Sequence, residues 1–179
     1  RTQFLHLFQM RTKINMIRFT FFLLLTTSSL ISFSQSTKAL VINIKSEIDA
    51  RTSRYVELGL KKARAGNYDL VLIDMDTYGG TVLDADKIVS MLLEEELPIY
   101  VYIDKNAGSA GSFIAIACDS IFMAPASVMG ASTVVNQKME VMPEKIQSFM
   151  RKKMRSTAET NGRDPNIAEE LVGINLQTD

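Results

Sequence analysis

Three short stretches carry residue types suited to acyl transfer: DTYGG (Asp76 to Gly80), GSAGS (Gly108 to Ser112) and MPEKI (Met142 to Ile146). Gly79 and Gly80 stand where an apolar strand ends and a helix begins, the edge of an open α/β sheet at which ligands bind. Backbone N–H groups at such a helix start can hold an oxyanion, and the missing Cβ lets an extended backbone lie close. GSAGS repeats the situation one strand further on. Two such turns side by side make a hole lined by backbone donors with a hydroxyl at its rim. Each stretch also has a plain structural reading: a strand-to-helix turn for the glycines, and a helix cap for the serine.

The acid–base partner is narrowed by elimination. The single histidine, His6, lies far upstream, so a Ser-His-Asp triad and any histidine-bearing metal site are excluded from the rest of the chain. With one cysteine, Cys118, a zinc site is not expected. No metal or cofactor is expected. Lysine is the usual substitute base for a hydroxyl nucleophile. Lys145 is the candidate, because Pro143 opens a helix as an N1 proline does and the first turn is where the helix dipole opposes a positive charge. Taken alone, a lysine in a first turn is a solvated surface residue. Asp74 and Asp76 resemble an acid–base pair of carboxylates but read better as strand-end contacts, and Cys118, within FIAIAC, reads as a small core residue.

The elements that must position these groups follow from hydrophobic pattern. KALVINIK (Lys38 to Lys45), DLVLIDMD (Asp69 to Asp76) and PIYVYID (Pro98 to Asp104) are nearly continuous apolar runs, the signature of buried parallel strands. Between them Val56, Leu60 and Ala63, then Ala85, Ile88, Val89 and Leu92, recur at helical spacing, with Asp49 as an N-cap and Gly66 as a C′ residue. A short, apolar, buried helix is expected over Phe113 to Ala117, and SIFMAP (Ser120 to Pro125) reads as another short strand. ASVMGASTVV and the loop Asn136 to Met142 then lead to a long helix whose inner face is expected to carry Ile146, Phe149, Met150, Met154 and Thr157 or Ala158. NGRDP breaks it, and Asn166 to Val172 restarts a shorter helix. Alternating strands and helices specify an α/β domain with right-handed crossovers.

Composition sets the outer bounds. Lys plus Arg equals Asp plus Glu at 20 each, without a basic stripe, so nucleic acid is not an expected partner. Arg18 followed by the apolar run Phe19 to Phe33 and then SQST has the layout of a secretory signal peptide or an N-terminal anchor. The expected organisation is an upstream extension over 1–15, the leader over 16–36 and a domain over 37–179.

The ordered succession of D-T-x-G-G, G-S-A-G-S-F-I, S-I-F-M-A-P, M-P-E-K-I and N-G-R-D-P-N-I-A-E-E-L-V resembles the protease domain of NfeD-type membrane serine proteases of the ClpP class, and more distantly signal peptide peptidase A. The likeness covers roughly Ala39 to Val172. It implies a ClpP/crotonase-like α/β fold of repeated ββα-type units, a mostly parallel sheet flanked by helices. It further implies Ser109 as nucleophile, Lys145 as general base, and backbone N–H groups of Gly79 or Gly80 and of Ala110 as oxyanion donors, with Tyr78 and Gly108 against the substrate. Tyr78 departs from the proline usual in D-T-P-G-G, and Ser112, where threonine is common, offers a rival hydroxyl one helical turn deeper. The resemblance implies a peptide or membrane-protein substrate cut at apolar segments, association with stomatin- or prohibitin-like proteins, a homodimer, and a domain held on the extracytoplasmic side of a membrane. The rival functions are an enoyl-CoA hydratase type enzyme, which shares the glycine-lined hole, and a noncatalytic module of the same fold that scaffolds membrane partners.

Overall fold

The computed structural model describes Met10, Lys13, Met16, Arg18 and residues 36–173. His6 and the apolar run Phe19 to Phe33 lie outside the described residues. The chain divides into two units, Arg1–Ser36 and Thr37–Asp179, and every element below belongs to the second. Among the described residues no helix is long and apolar enough to cross a membrane.

Strands β1 (Ala39–Ile44), β2 (Leu70–Thr77), β3 (Ile99–Gly108) and β4 (Ser120–Met123) lie side by side in chain order, all parallel. A fifth short strand, β5 (Val128–Gly130), pairs with the last three residues of β3. Helices α1 (Ala50–Ala65), α2 (Val82–Leu93) and α3 (Ala110–Ile116) form the connections, followed by α4 (Glu144–Thr160) and α5 (Pro165–Glu170). The mostly parallel sheet flanked by helices is thus the architecture expected from the sequence. Along β2 alternate residues Val71, Ile73 and Met75 are fully buried, while Leu70, Leu72 and Asp74 on the other face are half-buried. Each fully buried aliphatic side chain of this kind contributes about 1.5–3 kcal/mol, so the sheet face carrying them anchors the core.

Local chemistry sets the helix ends. The Asp49 carboxylate accepts the Arg51 and Thr52 N–H groups at 2.9 Å and starts α1, which Gly66 closes. Thr81 caps α2 and Asp164 caps α5. Helix α3 is buried on every side, with Phe113 1% exposed. Its last carbonyls, otherwise orphaned, are capped from the N-G-R turn. The Arg163 guanidinium donates to Ile116 O at 3.1 Å and Cys118 O at 2.6 Å, and the Asn161 amide to Ile116 O at 3.0 Å. Cys118 is fully buried, and that burial pushes its thiol up to about 12, so it carries no thiolate near neutral pH.

Three local expectations change. Strand β3 runs on through Lys105–Gly108, because Ala107 pairs with Thr77 and the residues from Asn106 pair with β5. Pro143 sits at the N-cap of α4 with ψ 151°, so Glu144 is the first helical residue. The inner face of α4 is Gln147, Met150, Met154, Thr157 and Ala158, whereas Ile146 and Phe149 are 38% and 60% exposed. The helix is rotated so that Gln147 reaches the preceding loop.

Candidate active site

The site is built where β2 and β3 end together. Thr77, the last residue of β2, donates its hydroxyl to Ser46 O at 2.7 Å and accepts the Gly79 N–H at 3.1 Å, fixing the turn from inside. Gly79 adopts φ +112°, which an L side chain rarely adopts. Its carbonyl accepts the Ile48 N–H at 2.8 Å, and the Thr81 N–H donates to Ile48 O at 2.8 Å, so the Gly80 turn is bridged to the loop after β1. A Cβ on Gly80 would run into the Ile48 backbone.

From the neighbouring strand, Gly108 packs so closely under Tyr78 that an added Cβ would lie 3.0 Å from Tyr78 O. Ser109 follows in a strained conformation, φ 49° and ψ −116°, unusual for a residue with a side chain. Its side chain does not cap α3, so the plain capping reading fails at this serine. The Ser109 N–H donates to Gly130 O at 2.7 Å, which ties the turn to β5. Ala110 opens α3 directly behind it.

Gly79, Gly108, Ser109 and Ala110 therefore form one contiguous group. An added Cβ on Gly79 would lie 2.7 Å from Ser109 Cβ and 3.2 Å from the Ala110 nitrogen. Because the Gly79 N–H already bonds Thr77 Oγ1, the free donors of the group differ from the glycine pair as a whole. Among the described residues the Gly80 and Ala110 N–H groups have no protein acceptor.

Ser109 and Ala110 open onto a cavity of about 860 Å³, walled by Val82, Phe113, Val134, Val135, Met139, Met142 and Met150. Tyr78, 85% exposed, stands between this cavity and a second one of about 620 Å³ that reaches Lys45, Asp76, Lys105 and Asn106. Over the larger cavity lies a small hairpin in which Val135 bridges Val141 and the Asn136 side chain closes the turn through the Lys138 and Glu140 N–H groups.

Lys145 is in the first turn of α4 and exposed to solvent; it does not line the cavity with Ser109. The structure thus brings together Tyr78, Gly79, Gly80, Gly108, Ser109 and Ala110 but leaves Lys145 outside the group. Ser112 is fully buried, its hydroxyl donating to Ser109 O at 2.8 Å, so it does not face a ligand. Asp74 is paired with Lys45 at 2.5 Å, and Asp76 accepts from the Asn106 amide at 2.9 Å. Both are sheet-edge contacts. Sequence reasoning missed Gln147 and Ser132. Gln147 is 4% exposed and holds both strands of the hairpin, accepting from Val134 N–H at 3.0 Å and donating to Val134 O at 2.7 Å and Met142 O at 3.2 Å. A polar residue on the expected apolar face of a helix was the only available signal.

The family model described as NfeD1b, N-terminal domain matches residues 38–178. The chain is 32% identical over 128 residues to the membrane protein NfeD1b of Bacillus subtilis, covering 72% of this chain and 29% of that protein. It is 29% identical over 144 residues to the membrane-bound protease PH1510 of Pyrococcus horikoshii, covering 76% of this chain and 33% of that one. The chain thus spans about a third of the length of these curated relatives. Among solved structures, a mutant of the 1510-N membrane-bound stomatin-specific protease in complex with a substrate peptide superposes with a TM-score of 0.72 at 27% identity, over 77% of this chain and 67% of that one. ClpP1 from Listeria monocytogenes shares the fold, with a TM-score of 0.61 at 21% identity over 76% of this chain and 80% of that one.

Proposed function

The chain belongs to the NfeD1b N-terminal domain family, and from that premise we propose that it is the peptidase part of a membrane-associated serine endopeptidase working through a Ser109–Lys145 dyad. The observation that carries the proposal is the contact of the paired-glycine turn with a strained Ser109 that opens onto an apolar cavity. Strain of this kind persists at sites where function needs it.

In the proposed cycle Ser109 Oγ attacks the scissile carbonyl carbon while Lys145 Nζ takes the hydroxyl proton. The Gly80 and Ala110 N–H groups hold the oxyanion, and Gly79 supplies the close approach rather than a donor. The tetrahedral adduct collapses as Lys145 passes its proton to the leaving amine. Water then attacks the acyl-enzyme, with Lys145 again taking the proton and returning it to Ser109. Because Lys145 lies outside the cavity, this cycle requires the hairpin and the first turn of α4 to move toward Ser109 when a peptide binds. Gln147 couples the two, so they move together.

The walls formed by Phe113, Val134, Met139, Met142 and Met150 suit apolar side chains, which supports cleavage in apolar segments of a membrane protein. A stomatin-like protein is the proposed substrate class, by analogy with the stomatin-specific protease named above. A leader over 16–36, placement of residues 37–179 on the extracytoplasmic face of a membrane, and a homodimer complete the proposal. The exposed Lys145 favours one second reading, a noncatalytic module of the same fold that scaffolds such membrane proteins. Incubating the chain and Ser109→Ala with a panel of apolar peptides separates the two. Fragments from the parent chain alone support the peptidase, and equal fragments or none from either contradict it.

A further inference from the structure

We infer that Ser112 and Ser132 are positioning residues that set the orientation of the Ser109–Ala110 peptide and thereby aim the Ala110 N–H into the cavity, an inference that rests on the peptidase reading above for its catalytic consequence. Both side chains are buried, Ser112 at 0% and Ser132 at 4% exposure. They come from different elements, α3 and the segment after β5, and converge on one atom. Ser109 O receives the Ser112 hydroxyl at 2.8 Å, the Ser132 hydroxyl at 3.2 Å, and the Ser112 and Phe113 N–H groups at 3.0 and 3.4 Å. The two hydroxyls also bond each other. Each carries a single proton, so at any moment one donates to Ser109 O and the other either joins it or donates to its partner. The network is closed within the protein.

The consequence follows from peptide geometry. The Ser109–Ala110 bond is trans and planar, so its C=O and its N–H point in opposite directions. Holding the carbonyl inward on the buried hydroxyls turns the Ala110 N–H outward, where Ala110 lines the cavity. The same bonds hold Ser109 at ψ −116°, which together with φ 49° is a conformation that must be imposed by its surroundings. Without the hydroxyls Ser109 O keeps only the Ser112 and Phe113 N–H groups of α3, and the strain at Ser109 then favours rotating the peptide, which takes the donor out of the hole.

The test is the crystal structure of the full chain carrying Ser112→Ala and Ser132→Ala together, with steady-state kinetics on a cleaved peptide. The expected result is a rotated Ser109–Ala110 peptide and a fall in kcat of about 100-fold, the lower end for losing an oxyanion donor, with KM changed less than about twofold. Ser132→Thr, which keeps a hydroxyl, is expected to keep both the peptide orientation and kcat. A peptide plane unchanged in the double variant overturns the proposal whatever the rate does, and so does a rotated plane with full kcat. If the double variant does not fold, Ser132→Ala alone provides the same comparison. A parent chain that cleaves nothing refutes the peptidase reading instead, and the peptide plane then decides the hydroxyl clamp by itself.

Discussion

Gly79 and Ser109 are packed against each other so closely that a Cβ on Gly79 would stand 2.7 Å from Ser109 Cβ and 2.9 Å from Gly108 O. The two residues follow the ends of adjacent parallel strands, and the contact exists because β2 and β3 finish nearly level with each other, Thr77 pairing with Ala107 after the register shift from Met75. It explains why small residues crowd both turns: the serine is presented at the sheet edge only if the neighbouring turn has no side chain.

Gly79→Ala should therefore strike stability and activity together. The substitution forces a side chain into φ +112° and onto Ser109 Cβ and the Gly108 carbonyl. Strained backbone of this kind costs on the order of 1–3 kcal/mol, and a displacement of about 1 Å at the reacting group costs roughly 100-fold in rate. A melting curve and a peptide assay check this; unchanged values in both contradict it.

Gln147→Ala should loosen the hairpin over the cavity without unfolding the domain. It leaves the Val134 N–H and Met142 O without their partner, while Val134 O keeps the Met142 N–H at 3.0 Å, and an unsatisfied buried group costs about 1–3 kcal/mol where water does not replace the bond. Hydrogen exchange should quicken over residues 134–142 while α1 and the central strands stay protected. Exchange unchanged over the hairpin would show that Gln147 does not hold it.

Acid should weaken the start of α1. The Thr52 N–H, and after it Arg51, hold the Asp49 carboxyl down to about 2 from its ordinary 3.8. A carboxyl depressed in the folded state adds stability that is complete above its unfolded value and is lost as pH falls through the folded one. The loss therefore falls between about pH 4 and pH 2. Asp49→Asn keeps a capping oxygen but removes the titration. Urea midpoints of the two proteins, measured from pH 7 to pH 2, should converge across that window, and a constant difference would contradict the assignment.

The parallel sheet was legible because its central strand β2 is buried on one face and half-buried on the other, which leaves a run such as LVLI without the alternation of a solvated strand. Asp49 and Gly66 marked α1 because their capping chemistry is local. The continuation of β3 through Lys105–Gly108 was hidden, since it depends on pairing with Val128–Gly130, and a short polar and small-residue segment carries no periodicity. In the sequence, apolarity and helical spacing put Ile146 and Phe149 on the inner face of α4. The helix instead turns Gln147 inward, because the backbone groups of Val134 and Met142 need a partner that only the folded hairpin reveals. The glycines and Ser109 were legible as a candidate site because their positions in the sequence put them at two strand ends. Ser132 was not, since nothing local distinguishes it from other small residues of ASVMGASTVV.

The central claim is that Ser109 is a nucleophile activated by Lys145, and labelling of the full chain with a fluorophosphonate tests it most directly. The expected result is a single covalent adduct mapped to Ser109, absent from Ser109→Ala and strongly reduced in Lys145→Ala. An adduct that persists undiminished in Ser109→Ala, or that forms at the parent rate in Lys145→Ala, would contradict it.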